Sequence, residues 1–179
     1  MPFYIDMGYS KTEIGAIVKT VALGASILGF FVGGQFIKRF SLKACLLFGG
    51  VLVLITNLLF SLSAISESNL TQLSIIVGMD SLAAGFVGTV NIAFLTSLVS
   101  KKFTATQYAL LTSFMMLPGK LFSGFSGYLA DSLIVLTSLQ VGWALFFVIT
   151  SALTLPALIT IMIRTVSYTH LTLPTRTRV

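Results

Sequence analysis

The sequence predicts an all-α membrane protein, a bundle of five transmembrane helices. Three observations predict it. Hydrophobic residues make up 56% of the 179 residues and charged residues only 9%, against roughly 25% charged in a soluble domain, and mean hydropathy is +1.01. The apolar residues form long unbroken runs, each able to cross ~30 Å of hydrocarbon as a helix of ~20 residues, rather than the alternating ~10-residue segments of a membrane β-barrel. The basic clusters behind the net charge of +6 lie in short connections between these runs and form no patch, which excludes a nucleic-acid surface.

The spans are read over residues 13–37, 42–65, 70–99, 105–130 and 143–163. Ser10 with Glu13 makes a capping box before the first, and Thr104 with Gln107 one before the fourth. The opening stretch "MPFYIDMGYSKTE" lacks the basic region and short apolar core of a signal peptide. The single cysteine, Cys45, excludes a disulfide framework and a cysteine-based metal cluster; no metal or other cofactor is expected.

Loop charge orients the spans. Lys38, Arg39 and Lys43 fall between the first and second, Lys101 and Lys102 between the third and fourth, and Arg164 after the fifth. The other side carries Asp6, Lys11, Glu13, Glu67 and Asp131. The positive-inside rule then places the N-terminus outside and the end of the last span in the cytoplasm. The Pro-aromatic opening reads as a loop at the outer end of an earlier span, so the chain is expected to be a fragment whose upstream half is missing.

Residues 1–164 form the expected helical domain. After Arg164 the sequence changes to "TVSYTHLTLPTRTRV". This Thr-rich tail, residues 165–179, is expected to be disordered or non-native. "VSYTHLTLPT" resembles a peptide found where sequencing-adapter DNA has been translated. The only histidine, His170, lies in it, so no histidine proton relay is expected.

Within the spans the charges are Lys19, Asp80 and Lys120. A charge at bilayer depth costs roughly 2.5–3.5 kcal/mol on insertion scales, so such residues face a bundle interior or a wet cavity. At ~100° per residue, Lys120 shares a stripe with Ser113, Gly124, Gly127 and Asp131; Lys19 shares one with Thr12, Gly15, Ser26 and Gly33; Asp80 lies ~20° from Asn91, with Ala84 beside it. Spans one, three and four should therefore line a path, with spans two and five as scaffold facing lipid; Asn57 is the strongest polar residue of the second. At ~1.5 Å per residue, Asp80 and Lys120 lie ~15 and ~16 Å from the outer ends of their helices, near the midplane, and Lys19 only ~9 Å deep, where it can snorkel. Two readings of Lys120 stay open. It neutralises Asp80, or it faces a wet cavity and awaits an anionic substrate, on a helix loosened by Pro118 and Gly119.

The loop "GGQFIKRFSLK" resembles the signature loop of the major facilitator superfamily. Gly34, Arg39 and Lys43 match it, while Lys38 stands for its acidic residue and Ser41 for its second glycine. "DMGYSKTEIGAIVKT", "FTATQYALLTS" and "LPGKLFSGFSGYLAD" resemble segments of the AmpG-type muropeptide permeases. The resemblance covers nearly all of residues 2–163 and implies spans 8–12 of a twelve-helix transporter. It implies import of anhydromuropeptide cell-wall fragments across the bacterial inner membrane, driven by protons. The partners it implies are the lipid bilayer, a small-molecule solute, protons and the absent N-terminal half, with no nucleic acid. Lys19, Asp80 and Lys120 fall where that family tends to carry polar or charged residues; with Asn91, on the Asp80 face, they are the expected substrate and ion pathway. "IVLTSLQV", between Asp131 and Gly142, looks longer than the family's turn there. A transporter for a sugar, acetyl-CoA or similar solute, and a non-transporting scaffold, are the alternatives. No Ser/His/Asp set, HExxH motif or carboxylate pair points to an enzyme.

Overall fold

The computed structural model describes residues 2–99 and 104–171, and these are helical with no strand among them. In chain order the elements are α1 (Pro2–Asp6), α2 (Lys11–Ile17), a π-helical turn (Val18–Ala22), α3 (Leu23–Arg39), α4 (Leu42–Ile65), α5 (Leu70–Leu98), α6 (Thr104–Leu136), α7 (Leu139–Ala152) and α8 (Leu155–Leu171). Four stretches are long and apolar enough to cross a membrane: Lys11–Arg39, Leu42–Ile65, Leu70–Leu98 and Leu139–Ile163. They correspond to four of the five expected spans. The fifth, α6, has 33 residues, ample length, but is not among the four, because Lys120, Asp131 and many Gly, Ser and Thr residues dilute its apolar content.

Local chemistry sets the ends. Gly8, at φ +88°, turns the chain after α1, in the left-handed region where glycine alone carries no steric penalty. The Ser10–Glu13 capping box is present: the Glu13 N–H donates to Ser10 Oγ at 3.2 Å and the Ser10 N–H donates to Glu13 Oε2 at 2.9 Å. Ser41, Asn69 and Ser138 cap α4, α5 and α7 with side-chain oxygens. The start of α6, with the expected Thr104 cap, borders residues 100–103, outside the described ones.

Three sequence expectations are corrected. The Pro-aromatic opening is a short helix, α1, followed by a tight turn rather than an open loop. The last span is not one rod, since it breaks at Leu153–Thr154 between α7 and α8. The cause is Pro156, which has no N–H to donate to Ala152 and so belongs in the first turn of a new helix. Pro118 lies inside α6, which runs through it although the residue supplies no N–H to the helix ladder. The "IVLTSLQV" stretch is not a long loop, because α6 continues to Leu136 and α7 starts at Leu139, leaving only Thr137 and Ser138 to connect them. The backbone of α8 is helical to Leu171, and the rest of the tail, residues 172–179, lies outside the described residues.

The α3–α5 contact is the closest in the bundle, and glycines make it so. A Cβ on Gly29 would overlap the Leu82 carbonyl, one on Gly85 the Ser26 carbonyl, and one on Gly33 would sit 3.0 Å from the Phe86 carbonyl. Small residues let membrane helices approach to backbone contact, where dispersion and Cα–H···O contacts replace the hydrophobic drive that lipid does not supply. Gly49 meets Val87 between α4 and α5, and Gly142 closes the α6–α7 hairpin against Ile134. Two buried clusters fill the bundle. One gathers Phe3, Tyr9, Ile14, Phe60, Leu73, Val77, Ala130 and Trp143 near the end that carries α1; the other holds Cys45, Phe86 and Val90 toward the opposite end.

Candidate functional site

Asp80 is half-buried on α5 and opens onto a cavity of about 330 Å³. The walls come from five elements that the sequence keeps far apart. α1 supplies Pro2, Phe3 and Tyr4; α4 supplies Phe60; α6 supplies Ser126, Gly127 and Ala130; α7 supplies Trp143, Phe146 and Phe147. The Thr56 hydroxyl lies beside the Asp80 carboxyl and donates to Val53 O at 3.1 Å. The expectation that the second and fifth spans serve only as lipid-facing scaffold is thus corrected. Phe60 of α4 and three aromatic residues of α7 wall Asp80.

The rings are packed, not scattered. Phe3 meets Phe60, Trp143 and Phe147 edge-on at 6.0, 5.4 and 5.0 Å between centroids, and Phe60 stacks on Phe147 at 5.2 Å. Such pairs stabilise by ~0.5–1.5 kcal/mol beyond their burial. Polar bonds pin the outer wall. Trp143 Nε1 donates to Asp6 Oδ2 at 3.0 Å, and the Asn69 N–H donates to the Tyr9 hydroxyl at 3.0 Å. The Ser68 hydroxyl donates to the Met7 carbonyl. The α1–α2 connection is thereby tied to α7 and to the α4–α5 loop.

The other predicted site residues lie elsewhere. Lys120 is exposed on α6, beside Tyr108, Thr112, Ser113 and Met116 of the same helix. α6 reaches the Asp80 cavity with Ser126, Gly127 and Ala130, and Lys120 lies two turns away, ~9 Å along the axis. The structure does not bring Lys120 and Asp80 together. Lys19 is exposed in the π-helical turn; such single-turn insertions in helices are frequent at functional positions. Asn91 is on the same side of α5 as Asp80 but three turns along it. It lines a second, apolar cavity of about 200 Å³ between α4, α5 and α8, with Cys45, Val53 and Leu158.

The signature-loop residues form a helix–turn–helix end. α3 runs through Gly33 and Gly34 to Arg39, and Gly33 packs against Phe86. Lys38 and Arg39 occupy its last turn, where cations complement the helix dipole. Lys43 lies in the first turn of α4 after the Ser41 cap.

Sequence reasoning missed Tyr4, Phe60, Trp143 and Thr56 as neighbours of Asp80. The one available signal was the isolation of Trp143, the only tryptophan of the chain, near the start of its span. Among the described residues no group of three or more His, Cys, Asp or Glu could hold a metal ion.

Set beside known proteins, the chain matches the Major Facilitator Superfamily over residues 1–178. It is 32% identical over 161 residues to the AmpG 1 transporter of Rickettsia prowazekii (strain Madrid E), covering 90% of this chain and 34% of that protein. Against AmpG 4 of Rickettsia conorii (strain ATCC VR-613 / Malish 7) the identity is 33% over 161 residues, or 90% of this chain and 37% of that one. Against the anhydromuropeptide permease of Escherichia coli (strain K12) it is 29% over 167 residues, or 92% of this chain and 32% of that one. The chain thus spans about one third of the length of these curated relatives.

Proposed function

Because this chain belongs to the major facilitator superfamily, we propose that it forms part of a secondary transporter of the bacterial inner membrane, importing anhydromuropeptide-type solutes with protons. The similarity to a permease of that name over 92% of the chain supports the substrate class. In this reading Asp80 takes and releases the coupling proton, and Lys120 binds an anionic group of the solute. The polar faces of Lys19 and Asn91 belong to the same pathway, and a second helical half completes it, as expected of folds in which the substrate lies between two repeats. The basic end at Lys38, Arg39 and Lys43 lies in the cytoplasm, by the positive-inside rule.

One observation carries the proton role. Asp80 stands in a cavity whose described wall residues include no basic one. Carboxylates inside membrane spans that open onto a cavity serve as proton relays in pumps and transporters. The experiment is uptake of labelled anhydromuropeptide by cells producing the transporter with Asp80→Asn. Accumulation against a gradient should fall by at least about tenfold, while exchange of solute between the two sides persists. Undiminished accumulation would overturn the assignment.

A further inference from the structure

The cavity beside Asp80 has a composition that suits one kind of guest. Among the described residues, six aromatic ones line it: Phe3, Tyr4, Phe60, Trp143, Phe146 and Phe147. Among the described residues that line it, Asp80 is the one charged group and none is basic. A volume of about 330 Å³ matches the lower range of small-molecule sites, ~300–1,000 Å³. Aromatic faces carry negative quadrupole density and attract cations, most of all alkylated ammonium groups too poorly hydrated to prefer water. A carboxylate adds the full opposite charge. An anion here would meet Asp80 and, among the described lining residues, no basic side chain, and a neutral apolar guest would leave the Asp80 charge answered by no more than the Thr56 hydroxyl beside it.

We propose that this cavity binds an organic monocation, its ammonium group held against the Asp80 carboxylate and the surrounding aromatic faces. A proton is the smallest occupant of the same charge, so proton and ammonium ligand compete for Asp80. Asp6 lies outside this set. It is exposed and accepts the Trp143 Nε1–H bond at 3.0 Å, so it orients the indole and does not line the cavity. Tyr4 and Asp80 are the titratable groups that face the guest. The proposal stands whether or not the solute is a muropeptide, since it rests on the cavity walls alone.

The chain contains its own reporter, because Trp143 is its only tryptophan and lines the cavity. The test titrates the chain in detergent at pH 8 with tetramethylammonium chloride, following Trp143 emission. Sodium chloride at equal ionic strength and tert-butanol, a neutral molecule of similar shape, are the controls. A saturable change with tetramethylammonium and with neither control is expected. Asp80→Asn should weaken the apparent affinity on the order of tenfold, and Phe60→Leu, which keeps bulk but removes a ring face, roughly threefold. Asp80→Glu keeps the charge and should retain binding, which guards against a variant that fails to fold. Overturning results are no saturable change, an equal response to tert-butanol, unchanged affinity in Asp80→Asn, or loss of binding in Asp6→Asn with binding kept in Asp80→Asn. The last would place the cation at the rim.

Discussion

α5 and α6 are written in the same grammar and packed in opposite ways. Each carries one midspan charge, Asp80 or Lys120, on a helix studded with glycines. On α5 the glycines are contact points: Gly85 lies against the Ser26 carbonyl, Gly78 near Val21 and Gly88 near Phe30. Leu73, Ile76, Phe86 and Val90 are buried around them. On α6, a Cβ added at Gly119, Gly124 or Gly127 meets nothing within 4 Å. Residues 113–128 are exposed throughout, and burial begins only at Ala130. A small-residue stripe is thus two different statements. Where another helix meets it, it is a packing surface. Where none does, it is an open face, and a charge on that face keeps its freedom. Asp80 is answered by its cavity walls, whereas Lys120, among the described residues, shares its groove with side chains of its own helix.

The strongest way to break this comparison is to fill the α5 stripe. Gly85→Ala places a methyl group where the Ser26 carbonyl stands, and backbone cannot move aside as a flexible side chain can. Overpacking of this kind costs about 3 kcal/mol. Thermal unfolding of the helical circular dichroism signal in detergent should show a large drop in midpoint. An unchanged midpoint would mean that α3 and α5 do not touch as described.

How far the sequence foretold this division follows from what kinds of signal it holds. Span existence is a matter of apolar length, so α4 and α5 fall at almost the expected bounds, fixed by Ser41 and Asn69 as caps. Breaks within spans are matters of hydrogen-bond register, which composition does not record. The π-helical turn at Val18–Ala22 and the interruption at Leu153–Thr154 therefore went unread, although Pro156 marked the second. Asp80 stood out because charge in an apolar run is rare. Its aromatic neighbours did not, because Phe3, Phe60 and Trp143 are ordinary core residues until the fold brings them together. The same limit applies to Lys120. Depth along a helix can be read from residue number, and it placed the two charges at one level, but the azimuth of one helix relative to another cannot.

A middle-sized effect sharpens the comparison at the cavity rim, where the α1–α2 connection meets α7. Asp6→Ala removes the acceptor for Trp143 Nε1 and leaves a buried indole N–H without a partner. A hydrogen bond to a charged group is worth ~1.5–3 kcal/mol, less where one partner is exposed as Asp6 is, so a loss of about 1–2 kcal/mol is expected. The emission of Trp143 should shift as the ring loses its anchor. Unchanged stability and unchanged emission together would show that the bond does not hold the α1 end of the cavity.

The smallest expected effect has the opposite sign, and that makes it the most discriminating. Gly124→Ala on α6 adds the same methyl group that Gly85→Ala adds on α5. Glycine in a helix interior is less favourable than alanine by roughly 0.5–1 kcal/mol, because it gives up more backbone freedom on folding. At Gly85 that gain is overwhelmed by the clash with Ser26. At Gly124 nothing opposes it within 4 Å, so in this chain the substitution should stabilise the helical state by up to about 1 kcal/mol. Differential scanning of the two alanine variants side by side reads this as midpoint shifts in opposite directions. If both shift downward, something packs on Gly124 in solution and α6 is no open face. If Gly124→Ala is stabilising in this chain yet lowers uptake in the complete transporter, the face that is free here is one that a solute or a further helix occupies there. That outcome would separate the helix's own preference from its role.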